Sequence, residues 1–389
     1  MDKVMIRTQR SLKKDLSKYR ALFPHTEDRV YLNHAALSPM HERAIRAIDQ
    51  HHFDRSHHNV EYWPDALEVK TEFRRLVGRL INGDPDHIAV SDNTSMALNW
   101  LAQGLTWQPG DRILLNNFEF PSNVYPFVNL QRQGVAIDYA EHRNGRIELD
   151  DLEAKIRPET RLLSISYVEF LNGYKNDLKR IGELCRAHDI IFCVDGIQGV
   201  GAVQIDVNEC GIDFLACGGQ KWLMWPLGTA FMYVSPRIFD RVQPMAAGWL
   251  AVEDAWEFFD YDLKFLPTAE RFEPGMVNVA GVVGANASLE LFLEAGPANI
   301  EQQIYQVTDY LIERLQDAEY YLYTPVEREL RAGIVTFHHP RSQGLDEYLK
   351  QHRVHVSLRN GFIRVAPHFY NTEADIDRLM ELLVKFDHS

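Results

Sequence analysis

Lys221 and Asp195 are the residues best placed to do chemistry. Lys221 follows the largely apolar run Phe214-Leu215-Ala216-Cys217-Gly218-Gly219-Gln220, and Asp195 closes Ile190-Ile191-Phe192-Cys193-Val194. A buried lysine amine forms a Schiff base with an aldehyde cofactor. A carboxylate holds a pyridine nitrogen protonated, so that the ring draws electrons. These are the two main protein contributions to pyridoxal phosphate (PLP) chemistry, and the pair points to an enzyme acting on amino groups.

Four further features fit that chemistry. Asp92-Asn93-Thr94-Ser95 stands between a strand-like and a helix-like segment. Backbone N–H groups at a helix N-terminus, with two hydroxyls beside them, suit a phosphate. The same residue types also cap ordinary helices. Gln198 follows Asp195 by one turn and could donate to a phenolic oxygen. Phe120, in Phe118-Glu119-Phe120-Pro121, could stack on a ring. Arg364 lies in the apolar run Phe362-Ile363-Arg364-Val365 and needs a partner. A substrate carboxylate would satisfy it bidentately, as would an internal Asp or Glu.

The elements that must position these residues alternate. Helix-like patterns cover 66–82, 95–104, 126–134, 149–156 and 178–188. Strand-like runs cover 87–90, 112–115, 135–139, 160–168, 190–194, 214–217 and 229–234. Such alternation predicts an α/β fold with a mostly parallel central sheet and helices on both faces, binding ligands at the strands' carboxyl ends. Residues 245–275 are loop-rich and aromatic. Helices follow at 281–294, 300–317 and 372–386, with strands at 333–338, 355–358 and 362–365. Thr372 and Asp375 are spaced as a capping box, with Asp in place of Glu. This second part reads as a smaller α+β domain. The expected division is a large domain over 25–270 and a small one over 1–24 and 271–389.

Composition narrows the class. The 389 residues are 46% hydrophobic and 25% charged, with a formal net charge of −14. That balance disfavours nucleic acid or an anionic membrane as the main partner. The four cysteines form no CxxC pair and lie in apolar segments, as buried core residues do. No apolar run is long enough to span a bilayer, and 1–7 lacks a signal-peptide core. The expected compartment is the cytoplasm. His51, His52, His57 and His58 lack a recognised ligand spacing, so no metal site is expected.

Taken together, the chain resembles the class V aminotransferase superfamily of PLP fold type I, which includes cysteine desulfurases and isopenicillin N epimerase-like proteins. The resemblance rests on Asn33-His34-Ala35-Ala36, the Asp-x-x-Gln turn at Asp195 and Gln198, Gly219-Gln220-Lys221-Trp222, Arg271-Phe272-Glu273-Pro274-Gly275, and Arg364 followed by Tyr370-Asn371-Thr372. It implies that Lys221 holds PLP, Asp195 pairs with the pyridinium nitrogen and Gln198 bonds the phenolic oxygen. Thr94, Ser95 and Gln220 would bind phosphate, Phe120 would cover the ring, and Arg364 would take the substrate α-carboxylate. His34 would face substrate. A homodimer with shared sites is implied, with Gly275-Met276 reaching the neighbouring cofactor.

The chain also departs from that pattern. Cysteine desulfurases carry a mobile-loop cysteine ahead of the carboxylate-binding arginine. Here that stretch is Ser357-Leu358-Arg359-Asn360-Gly361-Phe362-Ile363-Arg364, and no cysteine follows Cys217. Persulfide-forming desulfuration is therefore not expected. Desulfurases have histidine at the ring-stacking position, where Phe120 or Pro121 stands here. That change leaves Lys221 as the general acid/base. The expected reaction is transamination or a C–S or β-elimination lyase reaction on an α-amino acid or derivative. An amino acid epimerase is the alternative, and a non-catalytic PLP-binding or interaction protein is the reading from another class.

Overall fold

The computed structural model describes residues 15–259 and 261–389. The segment 1–7 lies outside them. The helices are α1 (Glu42–His57), α2 (Trp63–Ile81), α3 (Thr94–Gly104), α4 (Tyr125–Val128), α5 (Leu149–Glu153), α6 (Leu178–Ala187), α7 (Val279–Ala295), α8 (Pro297–Asp317), α9 (Ser342–Gln351) and α10 (Glu373–Asp387). The strands are β1 (Val30–Tyr31), β2 (Ile88–Ser91), β3 (Arg112–Asn116), β4 (Ala136–Ala140), β5 (Thr160–Ser166), β6 (Ile191–Asp195), β7 (Phe214–Gly218), β8 (Ala230–Val234), β9 (Val335–His338), β10 (Val354–His355), β11 (Ser357–Arg359) and β12 (Phe362–Val365).

A seven-stranded sheet runs in the order β2-β8-β7-β6-β5-β3-β4. Only β8 opposes its neighbours; the β7-β6-β5-β3-β4 pairings are all parallel. Strands β2, β6, β7 and β8 are buried along their whole length. That is why they read as unbroken apolar runs: both faces are covered. The protein is thus an α/β fold built on a mostly parallel central sheet. A small antiparallel sheet, β11-β12-β9, accompanies the large one. Beneath it lies a core containing Leu345, Ile363, Val365, Leu379 and Leu383.

The segment from Arg271 to Gly275 has a clear packing role. Glu273 is buried and meets Lys70 Nζ at 2.6 Å and Arg74 at 3.2 Å, both on α2. It also accepts the Val90 N–H at 2.9 Å, tying α2 to β2. At α10 the capping box forms as expected, with Asp375 accepting the Thr372 N–H at 2.9 Å.

Some expectations change. Residues 126–134 do not form one helix. A single turn, α4, passes into a 3₁₀ turn over Asn129–Gln133, ended by Gly134 at φ +85°. Of the residues buried there, Phe127 and Leu130 are three apart, which suits a threefold turn. Residues 355–358 divide between two strands. β10 pairs with β1, whereas β11 pairs with β12, so the chain changes partners at Val356. Two helices were not anticipated. α1 packs along α7, where Gly284 admits Ile48: a Cβ at 284 would lie 2.7 Å from the Ile48 Cδ1. α9 buries Leu345 and Leu349, one helical turn apart.

Candidate active site

Four strand ends deliver the candidate residues to one place. β2 leads to Asn93, whose side chain caps α3 by accepting the Met96 N–H at 2.8 Å. β3 leads to Phe120, β6 ends at Asp195, and β7 leads to Lys221. Their carboxyl ends share one edge of the sheet, where α/β sheets bind ligands. A cavity of about 310 Å³ opens there. Lys221, Asp195, Gln198, Gln220, Thr94, Ser95, Phe120 and Arg364 all line it, so the structure brings together every expected site residue except His34.

His34 is the correction. Its neighbours Ala35 and Ala36 line the cavity, but its own ring is fully buried behind them. The two ring nitrogens meet the Ala366 carbonyl and the Tyr370 hydroxyl, each at 2.7 Å. Both polar atoms are satisfied within the protein, so this ring is a packing element and not a substrate contact.

Lys221 Nζ stands 5.6 Å from the centroid of the Phe120 ring. Burial pulls the amine down to about 8, against the nearby Asp195 charge, which favours the ammonium; Arg364 pulls the same way as burial. Asp195 accepts the Ile197 N–H at 3.0 Å. Burial pushes its carboxyl up to about 6, opposed by that bond and by Lys221. Phe120, not Pro121, faces the cavity; Pro121 starts a 3₁₀ turn. Phe170 meets the Phe120 ring edge-on at 5.3 Å.

The amide of Gln198 is held at both ends. Its Nε2 donates to the Ala35 carbonyl and its Oε1 accepts from Trp222 Nε1, both at 3.0 Å. Thr94 Oγ1 accepts the Gly218 N–H at 2.9 Å, which leaves its own proton free to donate. Gly218 leaves room for these side chains: a Cβ there would come within 2.5 Å of Gln220 Oε1 and 3.1 Å of Thr94 Oγ1, so Gln220 would have to move. Ser95 and Ser122 hydroxyls bond each other at 2.9 Å at the cavity wall.

Arg364 is buried, yet no carboxylate meets it among the described residues. Its Nε donates to Ser357 Oγ at 3.1 Å and its Nη1 to the Phe170 carbonyl at 2.6 Å. Burial lowers its pKa, and Arg359 lowers it further. The internal acidic partner considered from sequence does not form. Asn172 faces away from the cavity, bonded to Gly145 and Tyr174.

Sequence reasoning missed several participants. Glu119 is partly exposed as a residue, but its carboxyl is buried and joins the ends of β3 and β5. It takes Asn116 Nδ2 and the Ser166 N–H at 2.7 Å, and Ser166 Oγ at 2.6 Å. Burial pushes its carboxyl up to about 7. Glu169, also buried, is pushed well above the usual range by burial and by Glu119. The signal for Glu119 was an acid between two phenylalanines. Arg359 and Trp222 were also passed over. The histidines of α1 and its end lie along that helix, with Phe53 stacked on His57 at 4.2 Å.

These donors fit a pyridine-ring cofactor bearing a phosphate: an amine, a carboxylate at a strand end, an oriented amide, and hydroxyls at a helix N-terminus around a glycine cradle. Comparison with known proteins agrees. Residues 30–379 match the aminotransferase class-V family, and the chain belongs to that family of PLP-dependent enzymes. It is 29% identical over 360 residues to an uncharacterized aminotransferase, YcbU, of Bacillus subtilis (strain 168), covering 92% of this chain and 95% of that one. It is 29% identical over 385 residues to a probable cysteine desulfurase of Pyrococcus abyssi, covering 92% and 94%. The apo structure of a cysteine desulfurase from Thermococcus onnurineus NA1 superposes with a TM-score of 0.88 at 25% identity, over 96% of this chain and 98% of that one. Among the described residues no helix is long and apolar enough to cross a membrane.

Proposed function

We propose that this chain binds pyridoxal 5'-phosphate on Lys221 and acts on an α-amino acid or close derivative by transamination or by β-elimination, C–S cleavage included. The observation that carries this reading is the shared cavity: a lysine amine pulled down by burial to about 8 lies with a strand-end carboxylate and a buried arginine that meets no carboxylate among the described residues. When bound, the cofactor supplies an electron sink for the charge left as the Cα proton departs. Asp195 would face the ring nitrogen, with its carboxylate held by the Ile197 N–H. Gln198 would offer its remaining N–H to the phenolic oxygen. Thr94, Ser95 and Gln220 would hold the phosphate, and Phe120 would cover the ring. Arg364 would grip the α-carboxylate and so aim the Cα–H bond.

Lys221 would carry the proton at Cα. Among the described residues it is the one amine lining the cavity, and the aromatic side chains there, Phe120 and Phe170, cannot transfer protons. Epimerisation requires a second acid on the other side of Cα, so the lining favours the first two reactions. Persulfide formation requires an accessible thiolate. Cys185, Cys193 and Cys217 are buried, Cys210 is half-buried, and burial raises every one of these thiols. We read the chain as acting without a persulfide step. A homodimer would complete the site, with the partly exposed Met276 at its contact.

Borohydride reduction of the purified protein, supplied with PLP, tests the cofactor assignment. A pyridoxyl mass on the peptide containing Lys221 is expected, and a colourless protein without an adduct would sink the reading. Amino acids and cysteine conjugates, assayed for keto acid, ammonia, thiol and loss of chirality, then distinguish the reactions.

A further inference from the structure

The β11–β12 hairpin carries a second cation to the cavity. Its two-residue turn is Asn360-Gly361, with φ +46° and +82°. Both values are left-handed, as the tight hairpin turn that matches strand twist requires. Across the strands Ser357 opposes Arg364, Leu358 opposes Ile363, and Arg359 opposes Phe362. Opposed residues share a face and alternate along each strand. Ser357, Arg359, Phe362 and Arg364 consequently project to one side, with the two arginines diagonal to each other.

Both arginines line the cavity that holds Lys221. Arg359 is exposed, and among the described residues its guanidinium meets only the Leu358 carbonyl, at a long 3.3 Å. Neither arginine pairs with a carboxylate among the described residues. The chain carries a formal net charge of −14, so acids are plentiful, yet the carboxylate that lines this cavity, Asp195, pairs with neither arginine. Two like charges held on one face repel, and Arg359 indeed disfavours the charged form of Arg364. An anion bridging the pair relieves that repulsion. Diagonal neighbours have backbones roughly 7–8 Å apart, and the flexible arginine stems reach inward from there to two oxyanions on one short molecule.

We propose that the substrate carries a second anionic group on a short side chain, received by Arg359 while Arg364 holds the α-carboxylate. This rests on the assignment of Arg364 to the α-carboxylate made above. The substrate class is then an α-amino acid with a side-chain carboxylate or sulfinate. Both present a planar or pyramidal pair of charged oxygens that a guanidinium can take bidentately.

Titration calorimetry on the full chain, supplied with PLP, tests this with amine-free probes: succinate, 3-sulfinopropionate and butyrate. At least one dianion should bind about 10-fold or more tighter than butyrate, as expected of one added charge-assisted contact. Arg359→Ala should abolish that margin, and Arg359→Lys should restore part of it. Arg364→Ala should weaken all three. The tighter of the two dianions identifies the side-chain group. Equal affinity for dianions and butyrate, or a margin that survives Arg359→Ala, overturns the proposal. The borohydride mass on Lys221 reports on the cofactor separately, so loss of one reading is distinguishable from loss of the other.

Discussion

The indole N–H of Trp222 donates to the side-chain oxygen of Gln198 at 3.0 Å, and this bond decides which end of the amide faces the cavity. Indole is a donor only, so the amide oxygen must lie on its side and the NH₂ on the other. One amide N–H is committed to Ala35, and the second remains for a ligand. Trp222→Phe removes the constraint. Cofactor affinity should fall about 3- to 10-fold, the worth of one hydrogen bond. Absorbance titration of the apoprotein with PLP checks this, and an unchanged dissociation constant would count against the role given to Gln198.

Capture of PLP by the apoprotein should accelerate as pH rises through about 8, where the Lys221 amine loses its proton. An unperturbed lysine would show that rise only near its ordinary pKa of about 10.4. Asp195 favours the ammonium, so Asp195→Asn should move the midpoint down. Arg364 disfavours it, so Arg364→Ala should move the midpoint up. Stopped-flow absorbance against pH measures both, and shifts of the opposite sign would contradict the charge arrangement.

Lys221→Ala should take up no borohydride-fixed pyridoxyl group and should lose roughly 10²- to 10⁴-fold in turnover, the usual share of a positioned proton carrier. Mass spectrometry and a keto-acid assay together read this. Retention of turnover would place the proton transfer on another side chain.

Glu119 should make stability depend on pH. Its folded-state pKa, about 7, lies above the ordinary glutamate value. The folded chain therefore holds a proton that the unfolded chain releases. The stabilisation is full below about 4.3 and is lost as pH climbs through 7. Glu119→Gln removes this titration, and the Ser166 hydroxyl can reverse its bond to accept from the new amide. Urea unfolding at pH 5 and pH 7.5 should show a smaller difference in the variant than in the parent.

Glu273→Ala should destabilise the fold by about 3–5 kcal/mol, because it leaves Lys70 a buried cation without its carboxylate and Arg74 with Glu270 alone. Denaturant midpoints measure the loss. A change below about 1 kcal/mol would show that water replaces the carboxylate.

Much of this site was legible because each residue ends or follows an apolar run, and such runs become buried strands whose carboxyl ends converge. Lys221, Asp195, Thr94 and Phe120 follow from that rule alone. His34 did not, because adjacency to Ala35 and Ala36 says nothing about which way the imidazole turns. Glu119 was hidden because burial of an acid depends on Asn116 and Ser166, and Ser166 arrives from a distant strand. Helix α1 was obscured by its histidines and by its few buried positions, Ala44 and His51. The break at Val356 was invisible because it reflects a change of strand partner, and both sides look equally strand-like.

The Asn360-Gly361 turn makes the β11–β12 hairpin a natural grafting point. Strand pairing holds the register on both sides of the tip, so extra residues inserted there need not displace Ser357 or Arg364. A longer, cysteine-bearing segment spliced between Asn360 and Gly361 would emerge at the rim of the Lys221 cavity. The hairpin tip is thus a port where a sulfur-accepting group could be engineered into this scaffold without rebuilding its interior.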